Sequence, residues 1–203
     1  GGKVLLRIED HDRQRSRPEY VRAILEDLRW LGFEPDEPFV RQSERSAIFE
    51  RALARLRSAG LVYACECSRK DIATAGESDT ELRYPGTCAA KGLPEMAGLG
   101  LRVRLAASIE RFDDLRHGPQ EQQPSEQCGD LLVKDRDGHW TYQFAATVDD
   151  WQQGVTLVIR GADLESSTGR QVALASLLGR DEPPVFLHHP LILDEHGRKL
   201  SKS

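Results

Sequence analysis

The chain has 203 residues, of which 39% are hydrophobic, and a formal net charge of −5. At this length a chain can bury roughly 70% of its unfolded surface, which suits one α/β domain with an insertion or two small domains. No apolar run approaches the roughly 18 residues of a membrane span, and the negative charge argues against a protein that coats nucleic acid through bulk positive charge, although a local basic surface could still bind RNA.

The first 64 residues are predicted to alternate strands with helices. Their elements are, in order, an apolar strand at Val4–Ile8, a helix with Ser16 as its N-cap that Gly32 ends, a helix from about Ser43 that Gly60 ends, and an extended segment that leads to Cys65.

The next segment, residues 65–100, is rich in loop-forming residues and carries a candidate metal site. Cys65 and Cys67 form a C-x-C pair that can share one ion, and Cys88 can add a third sulfur. Zinc prefers four ligands in tetrahedral geometry, so water or Glu66 is a possible fourth ligand. The alternative is three reduced cysteines without a metal. Together with Cys128 these cysteines do not form a disulfide framework, which favours a reducing cytoplasm.

The remaining residues, 101–203, are predicted to continue an α/β fold. Asp137-Gly138 indicates a hairpin that pairs Leu131–Lys134 with Trp140–Phe144. Residues 117–129 are rich in Gln, Glu and Pro and predict a surface loop. Val155–Ile159 is wholly apolar, as expected for a central strand of a parallel sheet.

Two charged residues follow predicted strands. Arg160 ends the apolar strand, where a guanidinium is costly to desolvate unless it meets an anion. A substrate carboxylate could supply that anion in bidentate geometry, and a structural ion pair with Asp149, Asp150 or Asp163 is the alternative. Glu9 lies at the carboxyl end of the first strand, where ligands gather in open α/β sheets. Its alternative role is that of an exposed acid paired with a neighbouring arginine.

The last segment ends in Lys199-Leu200-Ser201-Lys202-Ser203. Two lysines at this spacing are suited to binding a triphosphate, because ammonium groups on flexible stems can follow phosphate oxygens as charge shifts between them. The alternative is a solvated tail. His188 and His189, which end an apolar strand before Pro190, are predicted to be structural.

These motifs together resemble those of class I aminoacyl-tRNA synthetases of the glutamyl subgroup. The lysine pentapeptide resembles the family's KMSKS-type loop, and Arg7-Ile8-Glu9-Asp10-His11-Asp12 resembles its RIED-x-D segment. Val148-Asp149-Asp150-Trp151 and Arg160-Gly161-Ala162-Asp163-Leu164 resemble its VDD and R-G-x-D elements. The resemblance covers nearly the whole chain. In the family a strand and a helix with a HIGH-type motif come first, so the chain is expected to be an internal piece that begins beyond them and is inactive alone.

The resemblance implies a Rossmann-like parallel-sheet core, built from residues 1–64 and 101–203, with a small zinc-binding insertion at residues 65–100. It also implies a ligase that activates glutamate as glutamyl-adenylate, with ATP and Mg²⁺ as substrate. The implied site residues are Lys199 and Lys202 for catalysis, Lys202 for ATP binding, and Glu9, Tyr142 and Arg160 for glutamate binding. A packed strand aromatic is the alternative for Tyr142.

Within the family, the branch that attaches glutamate to the queuosine base of tRNA(Asp) carries C-x-C followed by Y-x-x-x-C. The resemblance to this branch implies Cys65, Cys67, Tyr84 and Cys88 as zinc ligands, although tyrosine is an uncommon one. A bound zinc would contribute on the order of 10 kcal/mol to folding of this segment.

The same branch is favoured by Ala162 and Leu164, because the tRNA-charging enzymes usually carry Glu and His there, and by the short segment between Cys88 and Leu131. The alternatives are a glutamyl-tRNA synthetase that charges tRNA(Glu), and an inactive synthetase-like chain that binds RNA or nucleotide. The charging enzyme would have an anticodon-binding domain beyond Ser203. We expect a cytoplasmic monomer with no membrane partner.

Overall fold

The computed structural model describes residues 2–11, 16–75 and 82–199. The chain divides into two compact units, Gly1–Ala54 and Arg55–Ser203, and helix α2 (Ser46–Ser58) runs through the division. None of the helices in these three ranges is long and apolar enough to cross a membrane.

The first unit contains a short parallel strand pair and a helix before α2. Strand β1 (Arg7–Ile8) pairs with β2 (Val40–Arg41). It is shorter than the strand predicted at Val4–Ile8. Helix α1 (Pro18–Trp30) begins at a proline, whose fixed φ suits the first helical turn. Arg17 occupies the N-cap position, and its side chain makes no capping hydrogen bond. The prediction that Ser16 is the N-cap is therefore wrong. Gly32, with φ of 76°, follows the helix as predicted.

The second unit contains two sheets. Strands β3 (Val62–Cys65), β4 (Gly100–Val103) and β7 (Leu131–Lys134) form an antiparallel sheet in the order β3-β4-β7. The other sheet has the order β6-β5-β9-β8 and is built from β5 (Glu110–Asp114), β6 (Gly118–Gln122), β8 (Leu157–Gly161) and β9 (Val185–His189). Strands β5, β9 and β8 are parallel, whereas β6 is antiparallel to β5. The predicted α/β class is therefore confirmed, but the sheet is mixed rather than wholly parallel.

Within the described part of this unit, four α-helices accompany these sheets: α3 (Arg69–Ala75), α4 (Pro124–Gln127), α5 (Tyr142–Gln152) and α6 (Thr168–Leu177). Helix α6 packs against α5 on one side and against β5 and β6 on the other. The core between α6 and the mixed sheet is formed by Phe112, Val172 and Phe186. The Phe112 and Phe186 rings meet edge to face at 5.3 Å, a favourable geometry for aromatic pairs.

The predicted hairpin is only half formed. Strand β7 is present, but its partner is reduced to one bridge between Lys134 and Trp140, and helix α5 begins at Tyr142. Thr141 explains the difference, because its side chain accepts a hydrogen bond from the Phe144 N–H and caps the helix.

Two further expectations for this unit were wrong. Residues 117–129 are not a loop without a packing role, since they contain β6 and α4. Backbone pairing with β5 orders β6, although β6 lacks the alternating apolar residues that mark most strands. Strand β8 lies at the end of the described sheet rather than in its centre, with Leu157 and Ile159 exposed.

Candidate active site and thiol cluster

Arg160 lies near the carboxyl end of β8, beside His188 in the parallel register with β9. Its Nε donates to His188 Nε2 at 3.1 Å, its Nη1 to Gln171 Oε1 at 2.5 Å and its Nη2 to Thr168 Oγ1 at 2.7 Å. None of the three acceptors carries a negative charge, so these hydrogen bonds fix the guanidinium without neutralising its charge. A fixed, partly desolvated guanidinium of this kind is suited to binding a carboxylate.

Tyr142, the first residue of α5, lies close enough to Arg160 to affect its ionisation. Burial lowers the pKa of Arg160, whereas Tyr142 and the carboxylates of Asp150 and Asp163 act in the opposite direction. The structure therefore places Tyr142 near Arg160. It also places Tyr142 at a helix start rather than in a strand.

The sulfur atoms of Cys65, Cys67 and Cys88, which we call the thiol cluster, lie within 4.8 Å of one another. The Cys67 and Cys88 sulfurs are 3.5 Å apart. In a tetrahedral zinc site, with Zn–S bonds of about 2.3 Å, the sulfurs would be about 3.8 Å apart. The spacing of the thiol cluster therefore fits one zinc ion.

Tyr84 is the fourth group at the thiol cluster. Its side chain is buried, and its hydroxyl oxygen lies 3.5 Å from the Cys65 sulfur and accepts a hydrogen bond from the Cys88 N–H at 2.8 Å. The phenol oxygen therefore lies beside at least one of the three sulfurs. Glu66, the alternative ligand, instead pairs with Lys91 at 2.7 Å.

Ionisation differs within the thiol cluster. Burial raises the pKa of Cys65, but hydrogen bonds with Tyr84 and Arg102 outweigh it, and the net pKa is lowered. Burial, and next its contact with Cys88, raise the pKa of Cys67 to about 11. Without a metal, Cys65 is therefore the thiol most readily ionised of these two.

The remaining predicted site residues are placed as follows. Glu9 belongs to the first unit, is exposed, and pairs with Arg7 at 3.5 Å. This contact matches its alternative role, that of an exposed acid paired with a neighbouring arginine. Lys199 forms an ion pair with Asp163, and this contact is the main reason that the pKa of Asp163 is lowered. Lys202 lies outside the described residues.

Comparison with known proteins identifies the family. The sequence profile described as tRNA synthetases class I (E and Q), catalytic domain, matches residues 1–203. This chain belongs to that family. A glutamyl-Q tRNA(Asp) synthetase of Burkholderia mallei is 47% identical over 209 residues, which cover 100% of the chain and 70% of the relative. One from Nitratidesulfovibrio vulgaris is 44% identical over 223 residues, covering 100% of the chain and 68% of that relative.

The solved structure of a glutamate tRNA ligase from Elizabethkingia meningosepticum, in complex with its amino acid, is also similar to this synthetase chain. It has a TM-score of 0.81 and 29% identity, and the match covers 99% of this chain and 45% of the ligase. The chain therefore has the class I synthetase catalytic fold, and it spans less than half of that ligase.

Sequence reasoning missed several groups at these sites. Asp114, Thr168 and Gln171 were not singled out, and His188 was assigned only a structural role. A usable signal was present for Arg160 and His188, since each lies one residue before the end of a strand that was predicted from its apolar run. Polar residues at the carboxyl ends of parallel strands gather at one edge of a sheet.

Proposed function

We propose that this synthetase chain carries the glutamate-activating part of an enzyme that joins glutamate to the queuosine base of tRNA(Asp). The observation that carries the proposal is the partly desolvated Arg160 guanidinium, which is held by three acceptors without negative charge and lies near Tyr142. The choice of nucleic acid rests on the relatives, which are named glutamyl-Q tRNA(Asp) synthetases.

In this proposal Arg160 and Tyr142 bind the side-chain carboxylate of glutamate. Binding of its ammonium group by Glu9 stays a prediction from the family resemblance. Glutamine would be refused because its neutral amide leaves the desolvated cation without an anion. The cost is about 3–5 kcal/mol, or roughly two to four powers of ten in affinity. The positive charge of Arg160 is thus the basis of selectivity.

The reaction begins when an oxygen of the glutamate α-carboxylate attacks the α-phosphorus of ATP. The bond from that phosphorus to the oxygen that bridges to the β-phosphate breaks, and pyrophosphate leaves with the electron pair. Lys202, supported by Lys199, would stabilise the charge that develops on the phosphates, and Mg²⁺ accompanies ATP. Positioning and electrostatic stabilisation are the main contributions of the protein to such a reaction.

The residues present fit a structural zinc ion. Cys65, Cys67, Cys88 and Tyr84 would hold it, and the ion would supply folding energy to a segment with a small core rather than a reacting group. That core consists of Cys65, Ile72, Tyr84 and Cys88.

A second candidate is a glutamyl-tRNA synthetase that charges tRNA(Glu). It is favoured by the similarity to the Elizabethkingia ligase, whose fold matches nearly all of this chain. The two candidates share glutamate activation and differ in the acceptor RNA.

The test is glutamate-dependent ATP–pyrophosphate exchange by the natural full-length protein, with and without tRNA. The resemblance implies that the queuosine-modifying enzyme activates glutamate unaided, whereas the charging enzyme needs its tRNA. Exchange without tRNA, reduced by roughly two to four powers of ten in Arg160→Ala, is therefore expected for the queuosine-modifying enzyme. Exchange that appears only with tRNA would favour the charging enzyme. Absence of exchange under both conditions would leave a synthetase-like chain that binds RNA or nucleotide.

Two controls make the result specific. Arg111→Ala removes an arginine that is exposed and paired with Glu121, so it should leave exchange unchanged. Transfer of labelled glutamate should then be compared on tRNA(Asp) from cells that make queuosine and from cells that lack it. Labelling of both forms, or of neither, would contradict the proposed acceptor.

A further inference from the structure

Three polar residues lie together at the carboxyl ends of the parallel strands β5, β9 and β8. Arg160 is directly opposite His188 in the β8–β9 register, and Asp114, the last residue of β5, is paired with Phe186 of β9. The side chains of Asp114 and His188 are fully buried. We call Asp114, His188, Arg160 and the two α6 residues Thr168 and Gln171 the strand-end network.

The hydrogen bonds of the strand-end network determine which nitrogen of His188 carries the proton. Arg160 Nε can only donate, so His188 Nε2, 3.1 Å away, must present its lone pair. The proton is therefore on Nδ1, which lies 2.7 Å from Asp114 Oδ2 and donates to it. Thr168 Oγ1, 3.2 Å from His188 Nε2, can donate to the same lone pair while it accepts from Arg160.

Asp114 is itself fixed by the backbone. Its Oδ1 accepts from the N–H groups of Arg116 at 2.8 Å and His117 at 2.9 Å, and its Oδ2 also accepts from the His188 N–H at 3.1 Å. Burial alone would raise the pKa of Asp114, but these hydrogen bonds outweigh it and lower the pKa to about 2. Asp114 is therefore a permanent carboxylate that only accepts hydrogen bonds.

We propose that Asp114 and His188 are specificity-determining positioning residues, which act by holding Arg160 in the orientation that recognises the side-chain carboxylate of the substrate. Asp114 selects the Nδ1–H form of His188, and His188 then fixes the Nε edge of the Arg160 guanidinium. This role rests on the proposed binding of glutamate by Arg160. Neither Asp114 nor His188 touches the substrate.

The orientation matters because a guanidinium binds a carboxylate best through two parallel hydrogen bonds. Thr168, Gln171 and His188 occupy three of its five N–H groups. If the acceptor at His188 is lost, Nε is left in a partly buried position without this partner, and the guanidinium must turn to find another. The charge would remain, but its geometry toward the carboxylate would change.

Asp114→Asn tests this role because asparagine keeps the shape of the side chain. With the amide oxygen toward the Arg116 and His117 N–H groups, the amide NH₂ takes the place of Oδ2, so it no longer accepts from the His188 N–H and it faces His188 Nδ1. His188 must then carry its proton on Nε2, opposite the Arg160 Nε–H, and the acceptor is lost. In Ser-His-Asp triads, replacement of the aspartate by asparagine likewise keeps the geometry but puts the histidine in the wrong tautomer.

The first measurement is ¹⁵N NMR of histidine-labelled full-length protein at neutral pH, with the His188 signal assigned through His188→Phe. We expect Nδ1–H in the wild type and Nε2–H in Asp114→Asn. Because this result does not depend on catalysis, it separates the inference from the proposed function. A wild-type His188 that carries its proton on Nε2 would overturn the inference.

The second measurement is the KM for glutamate and the preference for glutamate over glutamine in the exchange assay. Asp114→Asn should raise that KM by roughly 10- to 100-fold and reduce the preference similarly, while kcat changes little, as for other partners that orient a binding side chain. The control is Asp113→Asn, which makes the same substitution at the exposed neighbour in β5.

His188→Phe gives an independent variant that keeps a ring stacked on Phe186, where the present ring centroids are 5.8 Å apart. It should reproduce the KM effect, and His189→Phe, at an exposed position, should not. If the wild type exchanges pyrophosphate but both Asp114→Asn and His188→Phe keep its KM and preference, the inference fails and the proposed function stands. If the wild type shows no glutamate-dependent exchange, the proposed function fails, and a correct tautomer no longer supports a role in specificity.

Discussion

The Nε of Arg102 lies 3.3 Å from the sulfur of Cys65, and the Arg102 guanidinium carbon lies 3.7 Å from the centre of the Tyr84 ring. Arg102 is buried, and its Nη1 donates to the Asp130 carbonyl at 2.7 Å. Strand β4 thus brings one cation into contact with two of the four candidate zinc ligands. Because a zinc ion with three thiolates carries a net negative charge, Arg102 is placed to compensate it.

Arg102→Met should therefore weaken zinc binding by roughly 10-fold or more, the effect expected when a group that supports a metal ligand is removed. The measurement is competition for zinc with a chromophoric chelator. Arg83→Met removes an exposed arginine paired with Glu126, and it should leave the affinity unchanged. Equal affinity in both variants would contradict the charge-compensating role.

Cys88→Ser should reduce the zinc content of the purified protein well below one ion per chain and lower its melting temperature. The physical reason is that metal-binding free energy contributes directly to folding of a segment with a small core. Elemental analysis together with thermal unfolding gives both quantities.

Cys128→Ser is the matched control for Cys88→Ser, because Cys128 is also buried and reduced but its sulfur contacts the carbonyls of Pro124 and Gly129 instead. A full zinc content in Cys88→Ser would exclude the proposed ligand set. Chelation of zinc from the wild type should lower its melting temperature toward that of Cys88→Ser.

Gly129→Ala should be strongly destabilising, by about 2–4 kcal/mol. Gly129 has φ of 66°, and a Cβ atom there would lie 2.1 Å from the Tyr84 carbonyl oxygen, so the backbone of a candidate ligand would have to move. Urea unfolding measures the stability, and zinc content should fall with it.

Gly138→Ala provides the comparison for Gly129→Ala. Gly138 has φ of 84° but nothing within 4 Å of a Cβ, so only the backbone strain of about 1 kcal/mol is expected. An equal loss of stability in the two variants would show that contact with Tyr84 is unimportant.

The parts of the fold that the sequence predicted correctly are those with strong local signals. Helices ended where glycine allows a positive φ, as at Gly32 and Gly60, and β9 followed its apolar run. Strand β6 could not be predicted, because its sequence Gly-Pro-Gln-Glu-Gln has no apolar alternation and it is ordered by pairing with β5. The prediction of a strand around Tyr142 was wrong because Thr141 caps a helix that begins at Tyr142.

The candidate site was predictable to different degrees. Arg160 follows from a cation after an apolar strand, and the thiol cluster follows from C-x-C with a nearby cysteine. Asp114 could not be assigned, because its contact with His188 joins residues 74 positions apart in sequence and depends on the order of strands in the sheet. Sequence spacing alone does not contain that order.

The lowered pKa of Asp114 predicts how the stability of the fold changes in acid. Its folded-state pKa of about 2 lies below the ordinary value of 3.8. The carboxylate therefore stabilises the fold fully above about pH 4, and this contribution is lost as the pH falls toward 2. The difference between the two pKa values corresponds to about 2 kcal/mol.

Urea unfolding of the wild type and Asp114→Asn, at pH values between 7 and 2.5, measures this contribution. The wild type should exceed the variant in unfolding free energy by a constant amount above about pH 4.5, and the difference should shrink by most of about 2 kcal/mol toward pH 2.5. The control is Asp113→Asn, the same substitution at the exposed neighbour. A difference that stays constant across the whole range would mean that Asp114 is not held as a carboxylate by its hydrogen bonds, and the fixed acceptor on which the His188 tautomer depends would be absent.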